Sequence, residues 1–151
     1  MRTRLVSAAA ALLVMSVAVS AYAFPPFSEV KNVCPSCDQG KADVVTLTDG
    51  TKIRGKVVAE NTSFYTVVRY TEARAIPRTD VQGIEWANGS KPTDLMKHDQ
   101  ILLKNGVVFS GTITDDKDKP ALYQLECDFN DFTYIVFKSQ VDKVFKQGQE
   151  T

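Results

Sequence analysis

Two stretches in which apolar and polar residues alternate predict two β-hairpins, the second a repeat of the first. In residues 44–58, valine and leucine alternate with threonine, which is the period of a strand with one buried face. Asp49-Gly50 then predicts a tight turn, because glycine tolerates the positive φ that such turns need. Residues 101–114 repeat this pattern around Asn105-Gly106, so the sequence predicts a second hairpin of the same build.

A glycine in the second strand of each hairpin predicts a strong bend. Gly55 and Gly111 lie 56 positions apart, the spacing that also separates the two turns. Glycine is unfavourable inside a strand unless a bend or a close backbone approach requires it. A bent strand that serves both halves of a closed sheet is what a small barrel needs. Together with the short strands that follow, residues 41–86 and 99–146 therefore predict an all-β fold of two tandem small five-stranded barrels.

The later strands of the two units repeat at a longer spacing. Residues 64–70 predict the third strand of the first unit and residues 132–137 the fourth strand of the second, because both runs are rich in β-branched and aromatic residues. Beyond them, Val81 matches Val141 at a spacing of 60 positions. The second unit therefore carries four inserted residues, and the charged turn at 115–120 is where its middle is longer.

The beginning of the chain predicts export. Arg2 and Arg4 precede an apolar run, and Ala21-Tyr22-Ala23 has the small-x-small pattern that signal peptidase reads. We predict cleavage between Ala23 and Phe24 and a periplasmic or secreted protein without a stable membrane anchor; an uncleaved anchor is the alternative. The predicted segments are a signal peptide at 1–23, an extended leader with a CxxC motif at 24–40, the first barrel at 41–86, a linker at 87–98, the second barrel at 99–146 and a polar tail at 147–151.

The charge balance argues against nucleic acid as a partner. The chain has 18 Lys and Arg residues and 18 Asp and Glu residues, and loss of Arg2 and Arg4 with the signal peptide leaves a net charge of about −2. A nucleic-acid-binding protein needs a clearly basic face. We therefore predict protein partners, or self-association through barrel edges, and no nucleic acid.

Three cysteines and one histidine are the candidates for chemistry. Cys34 and Cys37 form a CxxC pair, for which an oxidising compartment favours a local disulfide or a bridge to Cys127. A redox pair would need a helix after Cys37, and no helical pattern follows. A zinc site could use Cys34, Cys37, Cys127 and His98, but only one close pair is present. Haem attachment is excluded because Asp38 stands where histidine is required. The prediction is no cofactor, with zinc as the alternative.

Both hairpins carry a family resemblance. The runs Leu47-x-Asp-Gly50 … Gly55-x-Val57 and Leu103-x-Asn-Gly106 … Gly111-x-Ile113 resemble the first signature of Sm-like proteins, which are small, strongly bent five-stranded barrels of the Src-homology-3-like type. The resemblance implies that fold for both units and makes assembly through barrel edge strands possible. The family's second signature, an Ile/Leu-Arg-Gly run that helps to line an RNA pocket, is missing from both units.

These observations predict an exported, non-catalytic binding or scaffold module. One histidine gives no Ser-His-Asp set, so we expect no enzyme. The alternative is a thiol redox or zinc-binding protein that uses Cys34 and Cys37. Aromatic residues could form the binding surface, although core packing is the competing role. These aromatic residues are Tyr65, Tyr70, Trp86 and Tyr123.

Overall fold

A computed structural model describes residues 27, 41–69, 72–114, 120–128 and 131–151, and it is all-β. Two antiparallel sheets are joined by a linker, and three short 3₁₀ turns are the only helical elements of the described residues. Among those residues, no helix is long and apolar enough to span a bilayer. The predicted signal peptide and the Cys34-x-x-Cys37 motif lie outside the described residues.

The first sheet has the strand order β4-β3-β2-β1-β5. A 3₁₀ turn at Arg78–Asp80 leads from β4 into β5. Phe27, the one described residue of the predicted leader, packs against the core of this sheet. The strands are β1 (Asp43–Leu47), β2 (Lys52–Glu60), β3 (Phe64–Arg69), β4 (Glu72–Pro77) and β5 (Val81–Glu85).

The second sheet has six strands in the order β11-β10-β6-β7-β8-β9. Its last strand, β11, lies in the segment that the sequence analysis described only as a polar tail. Gln147 and Gly148 adopt positive φ and turn the chain back onto β10. The strands are β6 (Asp99–Leu103), β7 (Val108–Thr114), β8 (Leu122–Cys127), β9 (Thr133–Phe137), β10 (Val141–Lys146) and β11 (Gln149–Glu150), with 3₁₀ turns at Leu95–Lys97 and Lys138–Gln140.

Neither sheet closes into a barrel, so the prediction of two closed five-stranded barrels holds only as two antiparallel sheets. In the first sheet, β4 and β5 remain the two edges. The open side of β4 faces the other sheet, since Arg74 forms an isolated antiparallel bridge with Val107. In the second sheet, β10 receives β11 instead of closing onto β9.

The strand registers confirm that the two hairpins are built alike. Asp43 lies opposite Gly55 in the first, and Asp99 lies opposite Gly111 in the second. At Gly55, a Cβ atom would stand 2.7 Å from the carbonyl oxygen of Val68, and at Gly111 it would collide with the backbone of β8. Both glycines therefore allow the close strand approach that a side chain would block. Equivalent residues of the sheets differ by 56 positions in β1/β6 and β2/β7, by 58 in β3/β8 and by 60 in β4/β9 and β5/β10.

Each sheet also contains an aspartate clamp, which we define as Asp43 in the first and Asp99 in the second. The buried Asp43 carboxylate accepts hydrogen bonds from the N–H groups of Val57 and Ala87, each at 2.8 Å. Asp99 accepts the equivalent bonds from Ile113 and Gln147 at 3.2 Å. Each clamp ties the bent second strand to the end of the fifth. A carboxylate shared by two backbone donors gives charge-assisted hydrogen bonds, which are stronger than neutral ones.

One hydrophobic core is shared between the sheets. Phe145 of β10 is fully buried, and its ring meets the ring of Phe64 edge to face at a centroid distance of 5.1 Å. Such a pair contributes beyond its buried area. The other members from the first sheet are Val58, Ala59, Val68, Ala73 and Ala75, and those from the second are Leu102 and Val108.

A buried polar network also joins the sheets. The side chain of Asn61 donates from Nδ2 to Oε1 of Gln100, and Gln100 donates from Nε2 to Oγ1 of Thr66 at 3.0 Å. All three side chains are fully buried. Because buried amides that lack partners are costly, this network sets one orientation of the sheets more strictly than apolar contact alone.

Candidate functional site

The candidate site is a groove of about 430 Å³ along β5, the open edge of the first sheet. We call it the β5 groove. It is lined by residues 81–84 of β5 together with Tyr65, Trp86, Arg78 and Lys91. The volume falls in the range typical of ligand pockets, and the open shape suits an elongated ligand more than an enclosed one.

A buried carboxylate holds both cations of the β5 groove. Glu60, whose side chain is only 4% exposed, contacts Lys91 Nζ at 2.6 Å and Arg78 Nη1 at 3.2 Å. Arg78 Nη1 also donates to the carbonyl oxygen of Asn61 at 2.9 Å. Two cations against one carboxylate leave an excess of one positive charge beside the groove, and that charge is fixed in place by the buried partner.

The tyrosine of the groove has a counterpart in the other sheet. The guanidinium of Arg78 lies 4.6 Å from the ring centroid of Tyr65, and Lys138 Nζ lies 4.5 Å from that of Tyr123. In both places a cation from the 3₁₀ turn covers a half-buried tyrosine of the third strand. The contact therefore belongs to the repeated fold, and within the described residues the first sheet adds Trp86 and Lys91 beside it.

The edge of β5 is open among the described residues, whereas the equivalent edge in the second sheet is not. β5 pairs only with β1, while β10 pairs with β6 on one side and with β11 on the other. Thr151 extends the β11 contact by donating from its backbone N–H to the carbonyl oxygen of Val144. Strand β11 thus covers one of two equivalent edges.

The structure brings together two of the four aromatic residues predicted from the sequence. Tyr65 and Trp86 line the same groove. Tyr123 lies in the second sheet, half-buried against the core formed by Ile101, Leu125 and Val136. Tyr70 is outside the described residues.

Of the cysteines and the histidine predicted as candidates for redox or metal chemistry, the structure describes only His98 and Cys127. His98 Nδ1 lies 2.7 Å from Asp128 Oδ2, whose other neighbour is the buried Ser110 hydroxyl at 3.4 Å. The aspartate therefore stands between the histidine and the serine, which is not the order of a catalytic triad. Cys127 is a free thiol, half-buried against the second core. The described residues contain no group of three or more potential metal ligands, and the roles predicted for Cys34 and Cys37 lie outside them.

Sequence reasoning missed the charged half of the groove. Glu60 ends the apolar run Val57-Val58-Ala59, and an acidic residue in a buried stretch was the available signal. Its two partners, Arg78 and Lys91, lie far along the chain in a turn and in the linker. The aspartate clamps were also missed, although Asp43 and Asp99 share the 56-residue spacing of the hairpins.

Comparisons of the chain with models of protein families, with curated proteins and with solved structures find no match.

Proposed function

We propose that this protein is an exported, non-catalytic binding module of the Sm-like type, and that its β5 groove takes an extended segment of a partner protein. The observation that carries the proposal is an open edge strand bordered by two aromatic side chains and two anchored cations. Addition of a strand to an open edge is a common mode of peptide recognition, in which the backbone gives affinity and neighbouring pockets give specificity.

The backbone of β5 supports this mode. The backbone N–H of Leu47 donates to Thr51 across the first hairpin. Because backbone directions alternate along a strand, the N–H and C=O groups of Thr46 and Val44 point the other way, toward β5. Gly83 and Glu85, opposite them, bond to β1, and the N–H and C=O groups of Ile84 point to the open side. Gly83 leaves open space where a side chain would stand, which lets another backbone approach.

The charges of the groove favour an acidic segment. Arg78 and Lys91 together exceed Glu60 by one positive charge, and their side chains are 37% and 45% exposed. An acidic side chain of the ligand can therefore reach a cation that has already lost part of its conformational freedom to Glu60. Tyr65 and Trp86 give apolar surface for the neighbouring residues of the ligand.

The test uses Trp86 as the reporter, because it is the single tryptophan of the chain. The probe is a blocked peptide of alternating valine and glutamate, and the comparison peptide has lysine in place of glutamate. We expect the acidic peptide to shift Trp86 emission in a saturable way, with affinity that falls as salt is added. The basic peptide should leave the emission unchanged.

Two variants assign the response to the groove. Lys91→Gln keeps a hydrogen-bond donor for Glu60 and removes one charge, so it should weaken binding of the acidic peptide several-fold. Lys97→Gln removes an exposed charge of the same linker outside the groove and should leave the affinity unchanged. Equal response to both peptides, or equal effects of the two substitutions, would overturn the proposal.

A further inference from the structure

At the end of the second sheet opposite β11, β9 is an edge that no described strand covers, and its outer face is apolar. Ile135 and Phe137 are 55% and 54% exposed, although large apolar side chains are usually buried. The strand Thr133–Phe137 contains no charged residue. Natural edge strands are commonly protected by charge, proline or a covering element. Among the described residues, β9 has none of these protections, which marks it as an interaction surface.

Among the described residues, the unpaired backbone groups of β9 belong to Thr133, Ile135 and Phe137, the residues of this strand whose side chains are exposed. Lys138 donates to Ala121 and Cys127 donates to Phe132, so the even-numbered residues between them bond to β8. The N–H and C=O groups of Thr133, Ile135 and Phe137 therefore point away from β8. The three residues that direct their N–H and C=O groups outward thus also carry the side chains of the exposed face.

We infer that β9 pairs antiparallel with β9 of a second copy of this chain, about a two-fold axis at Ile135. In this register Ile135 meets its own copy, and Thr133 meets Phe137 of the other chain. The axis produces the Thr133–Phe137 pair twice and the Ile135 pair once. Each of the three pairs exchanges two backbone hydrogen bonds, which gives six between the two chains. The two six-stranded sheets become one continuous sheet, and the interface is isologous.

The residues that flank the strand fit this register. The axis places Asp131 opposite Ser139 and Phe132 opposite Lys138, so no like charges face each other. A β9 paired with itself thus brings no like charges together and matches the outward N–H and C=O groups of both strands. This self-complementarity selects a second copy over an acidic or basic partner, for which the uncharged strand has no matching group.

A head-to-tail arrangement of copies is disfavoured by the first sheet. Inside the molecule, the outer face of β4 is covered by Leu102, Val108 and Phe145 of the second sheet. At the equivalent positions the first sheet carries Thr46, Lys52 and Glu85, and the last two form an exposed ion pair at 3.8 Å. That polar face cannot bury the apolar outer face of β9. In the two-fold pairing the two β9 strands meet edge to edge, so their apolar outer faces lie side by side on one face of the combined sheet. The β5 groove takes no part in this contact.

The experiment measures mass against concentration for the purified protein with the N-terminus that it carries in the cell. Sedimentation equilibrium should give a reversible monomer–dimer equilibrium. Ile135→Lys removes the central apolar pair and opposes two ammonium groups across the axis, so it should weaken dimerisation about tenfold or more. Thr112→Lys adds the same charge at an exposed position of the central strand β7 and should leave the equilibrium unchanged.

Hydrogen exchange then identifies the edge that pairs. The amides of Ile135 and Phe137 should exchange more slowly as protein concentration rises, whereas the outward amide of Ile84 on β5 should not change. A monomer at every concentration would overturn the inference. So would a dimer in which the β9 amides stay unprotected, or one in which Ile84 is protected instead. Circular dichroism of both variants establishes that a lost dimer reflects pairing and not unfolding.

Discussion

The two sheets share a backbone plan and differ in the chemistry of their outer faces. Both have the hairpin, the glycine approach and the aspartate clamp at equivalent positions. The face that carries Thr46, Lys52 and Glu85 in the first sheet carries Leu102, Val108 and Phe145 in the second. The shared plan therefore fixes each sheet, and the differences fix which faces meet.

At the other end of the same face, on β4 and β9, the two sheets differ in the complementary sense. Ala73 and Ala75 on β4 are buried in the shared core, while Thr133 and Ile135 at the equivalent positions of β9 are exposed. Small side chains on β4 let the second sheet approach closely, and the larger Ile135 would hold it away. The two sheets thus form a pair with two different ends, one polar beside β5 and one apolar at β9.

The largest effect should come from the shared core. Phe145→Ala removes a fully buried ring that packs on Phe64, and Phe→Ala changes in cores typically cost about 3–5 kcal/mol. Glu85→Ala at the equivalent position of the first sheet removes an exposed side chain and should change the free energy of unfolding by less than about 0.5 kcal/mol. Urea unfolding measures both. Similar losses for the two variants would mean that the sheets do not depend on this contact.

The aspartate clamps should differ by a smaller amount. Asp43 is 8% exposed and accepts both bonds at 2.8 Å, whereas Asp99 is less buried and accepts them at 3.2 Å. Hydrogen bonds to charged groups contribute about 1.5–3 kcal/mol each, and Asp43→Ala leaves two donors without partners in a more buried place. We expect Asp43→Ala to lower the free energy of unfolding more than Asp99→Ala.

The clamp prediction is checked by unfolding both variants under the same conditions. Asp80→Ala, a replacement of an acidic residue in the 3₁₀ turn outside the clamps, serves as the control for loss of one negative charge. An Asp99→Ala loss equal to or larger than the Asp43→Ala loss would show that burial and bond length do not rank the clamps.

The two hairpin turns were predicted correctly, because each depends on residues that are neighbours in the sequence. Asp49-Gly50 and Asn105-Gly106 form the expected turns, with φ of +85° and +82° at the glycines. The shared core was not predictable, because Leu102 and Val108 fit a strand of an isolated barrel as well as an interface between two sheets. Strand β11 was missed for a similar reason, since Gln149 and Glu150 have low strand propensity and pair only because a turn at Gly148 brings them onto β10.

The candidate site shows the same limit. The aromatic character of Tyr65 and Trp86 was visible in the sequence, and the groove contains both. The charges were not, because the partners of Glu60 are set by tertiary folding: Arg78 is 18 residues away, and Lys91 belongs to the linker. Separation along the chain hides such an arrangement from any local pattern.

The smallest expected difference between the sheets is electrostatic and lies in the hairpin turns. Asp49 Oδ1 accepts from Thr51 N–H at 2.8 Å, and this hydrogen bond lowers the pKa of Asp49 from its ordinary value of 3.8. Asn105 accepts the equivalent bond from Val107 without a charge. A lowered folded-state pKa gives stability that is present above the unfolded pKa and lost as pH falls through the folded one. The first turn should therefore weaken in acid, and the second should not.

An NMR titration from about pH 2 to 6 resolves the two turns separately. The Thr51 amide shift should titrate with a midpoint below 3.8, while the Val107 amide should show no such transition through Asn105. Asp49→Asn should abolish the Thr51 transition and keep the hairpin, since it reproduces the turn of the second sheet. A midpoint at or above the ordinary value would show that the Thr51 bond does not favour the ionised carboxylate, and the two turns would then differ in sequence only.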